Sequence, residues 1–514
     1  MWLTIRIIPM LKKISVCPLI FFLISCAVGP NYVRAPVVVP KQFKEAKGKS
    51  VIVPPKKHWK LAEPRDDIDR GEWWKIFGDK TLNELEDKLN LCNQSIVNAE
   101  ANYRQAMAIV DEARSNYYPT LTGTFNLIRQ TVGNGTTSFS STSAQGTTTG
   151  TATTGGLNRT IATITTYAYY LNANWEPDVW GQVRRTVESD LAAAQASAAL
   201  WAVTRLSSQG SLAQYYFQLQ ALDRDQKLLD SIVEGNKTLL RLTRHQYASG
   251  VASQADIVAA QSQLEVAEAQ AINNGILRGQ YEHAIAVLIG IPPAEFYLPF
   301  IPLKTTPPAI PIAIPTAWLE RRPDVAQAER QMQEANALIG VAISAYFPSL
   351  NLAGSRSGSA NSLHRLIHTP AIGWSLGLVA AETIFDGGLR NATVRAARAG
   401  YDAEVATYRQ TVLAAFQDVE DSLIALRVLE KQGVVQNQAV KSAKRALAIV
   451  VNQYKSGTVD YASVVTSQLV AYSAEKNAAD VVGLQMTSAV GLIKALGGGW
   501  NAGLLNSPNS GVKS

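Results

Sequence analysis

A long-period internal repeat constrains this chain more than any other feature. Tyr247-Ala-Ser-Gly250, followed by Asp256, Ile257 and Gln261, returns as Tyr454-Lys-Ser-Gly457, followed by Asp460 and Gln468, and the Tyr, Gly and Gln positions all keep an offset of 207. Each copy joins a very long helix-compatible run to a second one. A Gly after such a run is the expected left-handed stop, so each copy reads as a tight turn between two helices, with Gly250 and Gly457 at the tips. The repeat reaches further. Aligning Pro119 with Pro348 pairs Ala99 with Ala328, Glu100 with Glu329, Ala106 with Ala335 and Ala113 with Ala342 at an offset of 229, while Val179-Trp-Gly-Gln-Val-Arg184 matches Phe385-Asp-Gly-Gly-Leu-Arg390 at 206. The 23-residue difference assigns the extra length of the first half to an uncharged Thr/Ser/Gly tract at 131–156, read as a long flexible loop.

Between these landmarks the hydrophobic period changes twice in each half. Leu82, Leu85, Leu89, Ile96, Ala99, Tyr103 and Ala106 follow a helical stripe. Tyr167, Tyr169, Leu171, Ala173 and Trp175 then alternate with more polar residues, as do Ile372, Trp374, Leu376 and Leu378, which is the period of a strand with one apolar face. The first repeat is therefore 81–290: a helix, a β-hairpin at 119–176, a long helix at 181–246 and a returning helix at 253–289. The second is 318–497: a helix opened by Arg322-Pro323-Asp324, a hairpin at 348–384, a long helix at 388–454 and a helix at 461–496. Pro-free runs of roughly 65 residues make rods of about 100 Å. A Pro-rich crossing, 291–317, joins the halves, and 498–514 is a tail.

Four strands with apolar faces cannot form a spanning sheet alone, because lipid tolerates no open edge. Closed barrels need about eight strands or more. The strands thus imply an oligomer sharing one barrel, with two-, three- or fourfold symmetry open at this point. The helices are rich in Ala, Gln, Ser and Thr, which suits packing around a wet lumen better than one dry core.

The start of the chain reads as an export signal. Lys12-Lys13 precede an apolar run from Ile14 to Ile24, too short to span a membrane, and then Leu23-Ile24-Ser25-Cys26. This predicts a signal peptide at 1–25, begun at Met1 or Met10, and a mature residue Cys26. Residues 26–80 then form a Pro- and Lys-rich extended tether. Losing Arg6, Lys12 and Lys13 brings the net charge of +7 to +4, too mild to argue for nucleic acid. Cys92, among Leu89, Leu91 and Ile96, reads as a small buried residue.

Catalytic and metal signatures are weak. His58, His245, His283, His364 and His368 show no His-Glu-x-x-His spacing and no Cys/His ligand set. His364 and His368 are four apart but fall in the second hairpin loop, where no helix is expected to align them. Gly-x-Ser-x-Gly is missing, and Gly48-Lys49-Ser50 lacks the upstream Gly of a phosphate loop. The acidic run near Phe416, with Asp418, Glu420 and Asp421, reads as a solvated or lumen-facing helix surface. An exported lipoprotein enzyme is the remote alternative, and no metal or cofactor is expected.

Five motifs in fixed order carry a family resemblance: Cys26-Ala-Val-Gly-Pro-Asn-Tyr32, Trp73-Trp74 with Phe77, Glu320-Arg-Arg-Pro-Asp324, Phe347-Pro-Ser-Leu350 and Phe385-Asp-Gly-Gly388. The chain resembles the TolC family of outer-membrane channels, in the NodT-like lipoprotein branch serving resistance-nodulation-division efflux systems. The resemblance implies a mixed α/β, mainly helical membrane protein. It would be a homotrimer with a twelve-stranded β-barrel, four strands per chain, continued by a periplasmic helical barrel. It implies the outer membrane of a Gram-negative bacterium, diacylglycerol and a fatty acyl group on Cys26, and docking with a periplasmic adaptor and an inner-membrane transporter. The activity implied by the resemblance is passive conduction of small molecules, drugs or other toxic compounds; metal-ion efflux and protein secretion are the alternatives. The gate would lie at the helix tips. Asp256 matches an acidic position of the family's first tip. At the second, Tyr454 and Gly457 match, Val459 occupies the place of an Arg, and Ser463 and Thr466 those of two constricting Asp; Asp460 and Tyr461 are the substitutes this sequence offers.

Overall fold

In the computed structural model the described residues are 27–37, 40, 43–45, 71–132, 138–143, 146–151, 162–303, 307–308 and 322–498. The expected signal peptide, Cys26, the stretch 46–70 with His58, much of the Pro-rich crossing with Glu320 and Arg321, and the tail beyond 498 lie outside them. The helices and strands in chain order are α1 (Lys80–Cys92), α2 (Gln94–Ser115), β1 (Thr120–Val132), β2 (Ser138–Ser143), β3 (Gly146–Thr151), β4 (Ala162–Trp175), α3 (Gln182–Ala248) and α4 (Gln254–Leu288), then α5 (Pro323–Ser344), β5 (Ser349–Ala360), α6 (Leu363–His368), β6 (Ala371–Ala381), α7 (Leu389–Lys455) and α8 (Tyr461–Ala495). The repeat is metrical: α2 and α5 have 22 residues each, α3 and α7 have 67, and α4 and α8 have 35. Among the described residues no helix is long and apolar enough to cross a membrane.

The chain divides into two compact units. The first holds the described part of Met1–Asn31 with Ile109–Asp190 and Asn336–Ala399. Its centre is an antiparallel sheet ordered β1-β4-β5-β6, so β1 and β6 are both open edges. Register sorts the faces. Leu121, Phe125 and Leu127 share one side with Tyr167, Tyr169, Leu171 and Ala173, and this row continues through Leu352 into Ile372, Trp374, Leu376 and Leu378. Thr122, Thr124 and Asn126 share the other with Ala168, Tyr170, Asn172, Ser355, Ser357 and Ser375. The whole sheet, not merely single strands, is therefore largely apolar on one side, with Arg129 and Arg356 as exceptions, and more polar on the other, where Ile128, Ile164 and Val379 are the exceptions; the apolar side is uncovered, with Trp374 at 79% exposure and Leu121 at 74%.

The strand-to-helix corners of this unit are built from short-range hydrogen bonds. Asp178 accepts from the Val183 and Arg184 N–H groups; Asp386 accepts from those of Gly388 and Arg390. Gly387 and Gly388 take positive φ there, which explains the Gly pair of the Phe385-Asp-Gly-Gly388 motif. The Val28-Gly29-Pro30-Asn31 segment docks beside these corners. Val28 N–H donates to the Trp180 carbonyl, and buried Arg185 donates to the Val28 and Gly29 carbonyls and to Asn31. Gly29, at φ 103, presses so close to Gly340 that a Cβ on it would lie 2.5 Å from the Gly340 Cα.

The second unit holds Tyr32–Ala108, Leu191–Ala335 and the described part of Gly400–Ser514. Its largest core packs Trp73, Trp74 and Phe77, on a 3-10 turn, with Leu82, Leu85, Tyr216, Phe217 and Met486. Each such side chain, fully buried, supplies about 1.5–3 kcal/mol.

Four expectations are corrected here. The helix expected to run unbroken past residue 92 breaks at Asn93, whose buried Oδ1 accepts from the Ser95 and Ile96 N–H groups while its Nδ2 donates to the Leu288 carbonyl. Asn93 is buried on the same stripe as Leu85 and Leu89, and Cys92 beside it is exposed rather than buried. The Thr/Ser/Gly tract is not a structureless loop: β2 and β3 pair antiparallel within it, β-branched Thr favouring the extended backbone. The second hairpin loop contains α6, capped by Ser362 accepting from Arg365 N–H, so His364 and His368 are aligned after all, their ring centroids 4.5 Å apart. The acidic run on α7 keeps Asp418 and Asp421 exposed, as expected, and in addition holds the tether and the α5 start. Glu420 accepts from the Lys44 and Glu45 N–H groups, Phe416 packs with Phe43, and Asp418 pairs with Arg322 at 2.9 Å.

Candidate functional site

The two helix–turn–helix tips are built alike. At the first, Gly250 N–H donates to the Tyr247 carbonyl and Val251 N–H to that of Gln246. At the second, Gly457 donates to Tyr454 and Thr458 to Gln453. These paired bonds are the Schellman stop, which needs a left-handed residue; Gly250 has φ 76 and Gly457 φ 73. Each returning helix is then capped. Ser253 Oγ accepts from the Asp256 N–H, and Asp256 Oδ2 accepts from Ser253 N–H and Oγ at 2.8 Å each, a reciprocal capping box. At the offset of 207 the same pair recurs in reverse: Asp460 is the N-cap, accepting from the Ser463 N–H and hydroxyl. Ser463 therefore stands where the first tip has its acid, and Asp460 where the first has its Ser. The Ser463 bonds hold the Asp460 carboxyl below the usual carboxylate range.

A small core ties one tip to the other. Leu239, Leu240, Ala260 and Leu264 of α3 and α4 pack with Tyr454, Tyr461 and Val464 of α7 and α8. Val459 is half-buried against this core, so it fills space rather than reaching outward. The Tyr454 hydroxyl meets Thr243 Oγ1 at 2.9 Å, and because Thr243 donates to the Leu239 carbonyl at 3.0 Å, the phenol is the donor between them. Gln246 Nε2 donates to the Tyr454 carbonyl, and Gln468 Nε2 to Asn236 Oδ1 at 2.6 Å. Burial raises the Tyr454 phenol, the Asp256 charge adding to the effect, and burial also pushes Tyr461 up to about 12.

Of the residues singled out in the sequence, Tyr454 and Tyr461 thus lie in the tip core, Asp256 is half-buried in its cap, and Asp460, Ser463 and Thr466 are exposed. Thr466 bonds back to the Ala462 carbonyl. Sequence reasoning missed Thr243, Asn236 and Gln246, and marked Gln468 only as a landmark of the repeat. Asn236 and Thr243 stand seven apart on the stripe that also holds Leu239 and Leu240, and a polar residue on an apolar stripe was the available signal.

Comparison with known proteins bears on this geometry. The model of the family described as "Outer membrane efflux protein" matches residues 87–290 and 314–498, most of both repeats. The chain belongs to the outer membrane efflux protein family. Among its relatives, the pyoverdine export outer membrane protein OpmQ of Pseudomonas aeruginosa is 29% identical over 508 residues, covering 96% of this chain and 98% of that protein. The probable efflux pump outer membrane protein TtgC of Pseudomonas putida is 27% identical, covering 83% of this chain and 85% of its own. The structure of the outer-membrane channel OprN superposes with a TM-score of 0.77 at 26% identity, covering 92% of this chain and 100% of that one. The Campylobacter jejuni CmeC outer membrane channel shares the fold at 22% identity and a TM-score of 0.76. The fold is therefore that of the TolC-type channels, mainly helical with one four-stranded antiparallel sheet per chain, and the protein is an outer-membrane efflux component rather than an enzyme.

Proposed function

We propose that three copies of this chain close a twelve-stranded barrel in the outer membrane and form a tunnel gated at the helix tips. The observation that carries the reading is the four-stranded sheet with two open edges and one largely apolar, uncovered face. Edge pairing between copies satisfies β1 and β6, and the apolar face then meets lipid. The tunnel conducts passively, driven by an inner-membrane transporter of the resistance-nodulation-division class through a periplasmic adaptor. The cargo is a small organic molecule, a reading supported by relatives whose names specify pyoverdine, toluene and antibiotics. Cys26 carries the lipid anchor: two residues on, Val28 is fastened to Trp180, just past the end of β4, which suits an acyl chain entering the membrane beside the barrel.

Closure rests on the tip contacts of Tyr454, Tyr461 and Asp256, with Asp460, Ser463 and Thr466 on the exposed side. Planar-bilayer recording of the purified protein tests the reading. Discrete pores are expected, with higher conductance or open fraction in Asp256→Ala. A well-assembled protein that never conducts would sink the channel, and an Asp256→Ala pore identical to the parent would reduce Asp256 to a helix cap.

A further inference from the structure

The four strands of the large sheet contain two charged side chains, Arg129 and Arg356, and no acid. Both fall on the apolar face. Arg356 stands opposite Leu171 on one side and Trp374 on the other, and Arg129 lies two positions beyond Leu127 on the same side of β1. The polar face carries no charge. Solvation alone would put an Arg on the polar side, so something on the apolar side must take these cations. Depth indicates where. The four helix-joined strand ends lie at one end of the sheet; Arg356 is seven residues from that end of β5 (356−349) and Arg129 nine from that of β1 (129−120). At about 3.3 Å per residue and a tilt of about 40°, these heights are roughly 18 and 23 Å in an apolar band about 25 Å tall. Both guanidinium groups can therefore extend to the outer headgroup layer.

The surroundings of Arg356 supply no anionic partner. Arg356 is exposed and has no ion-pair or hydrogen-bond partner among the described residues. The Tyr169 ring lies across Gly358, its hydroxyl 2.8 Å from where a Cβ of Gly358 would stand. Trp374 flanks the other side. A guanidinium, a phenol and an indole N–H thus share one patch of a lipid-facing surface. Planar, bidentate donors of this kind match a phosphate.

We propose that Arg356, with Tyr169 and Trp374, binds a phosphate of an outer-leaflet glycolipid, with Arg129 as a second contact nearer the rim. The proposal rests on the reading that the apolar face meets lipid. Native mass spectrometry of the purified assembly tests it, by titration with phosphorylated lipid A and with its dephosphorylated form. Wild type should retain the phosphorylated lipid, Arg356→Gln should hold it about tenfold more weakly, and Arg356→Lys should fall between. Equal retention by Arg356→Gln, equal binding of the dephosphorylated lipid, or displacement by millimolar inorganic phosphate would each overturn the site. Tyr169→Phe, with a smaller loss, covers the case in which Arg356→Gln fails to assemble; no loss there would count against the site. Conductance separates the two readings, because a conducting wild type with unaltered lipid retention in the variants removes this site alone.

Discussion

Replacing Tyr454 by Phe removes one hydroxyl from the tip core and leaves the ring packing against Tyr461, whose centroid is 5.7 Å away. Thr243 keeps its own donation to the Leu239 carbonyl, so the lost bond is a single neutral one and no donor is stranded. Such a bond is worth about 1 kcal/mol net, or about a fivefold change in an equilibrium. Thr243→Val acts on the other partner and strands the buried phenol, costing about 1–3 kcal/mol. If the bond holds the two helix pairs of the tip closed, Tyr454→Phe raises the open fraction in single-channel records about fivefold, and the double variant shows a coupling near 1 kcal/mol. A thermal melt of the same proteins gives the structural cost separately. An open fraction unchanged within twofold, with the melting loss present, would mean that the bond persists in both states, and the gating argument would fail.

Two further perturbations test the scaffold behind the tips. Glu86 is fully buried, neither carboxylate oxygen has a partner, and burial, with Asp87 nearby, raises it from 4.5 to about 9. A raised folded-state pKa gives stability that is present below the unfolded value and lost as pH climbs through the folded one. Wild type should therefore lose melting temperature between about pH 5 and 9 while Glu86→Gln stays flatter, and parallel pH profiles would refute a protonated Glu86. Gly340→Ala would set a methyl 2.8 Å from Arg185 Cγ and 2.9 Å from the Val28 carbonyl. It should cost about 1–3 kcal/mol by displacing the segment before Tyr32, which a thermal melt and limited proteolysis would register; an unchanged melt would refute the close packing.

What the sequence disclosed was local. Gly250 and Gly457 announced their turns because a left-handed stop needs Gly wherever the rest of the chain lies, and the limits of α3 and α7 follow from the Gly residues that bound them, Gly181 and Gly250, Gly388 and Gly457. What it hid was long-range or depended on local detail. Thr243 and Tyr454 are 211 positions apart, and nothing near either one names the other. Cys92 reads as buried from its neighbours Leu89, Leu91 and Ile96, but the buried stripe runs Leu85, Leu89, Asn93, Ile96 and passes it by, leaving the thiol and Leu91 outside. His364 and His368 were set aside because a hairpin loop rarely holds a helix, yet Ser362 caps one. The acids of α7 looked solvated because their partners, the Lys44 and Glu45 amides and Arg322, lie about 95 or more positions away. Within the motif from Cys26 to Tyr32, the Gly29 requirement is explained by Gly340, a contact visible only in three dimensions.

If the tips form the gate proposed above, the reversal of Ser and Asp between them changes what kind of gate it can be. A ring of free carboxylates would close against its own repulsion and would respond to pH and salt. Here both acids are committed. Asp256 accepts two bonds from Ser253, Asp460 two from Ser463, and each charge sits at the start of a helix, where the backbone dipole favours it. Asp460 is held below the usual carboxylate range, so mild acid leaves it charged and its cap intact. In the tip core the contacts between the helix pairs are neutral: Tyr454 with Thr243, Gln468 with Asn236, and the packing of Tyr461 and Val464; the ion pair of Lys476 with Asp225 lies well back from the turns. Raising salt from 0.1 to 1 M shortens the screening length from about 10 to about 3 Å, which reshapes a ring of bare charges but hardly touches neutral contacts. After correction for bulk conductivity, the open fraction should stay within about twofold across that range, less than the fivefold expected from losing one hydrogen bond. A steep salt dependence that vanishes in Asp460→Asn would show instead that the exposed acid, and not the tyrosine core, sets closure.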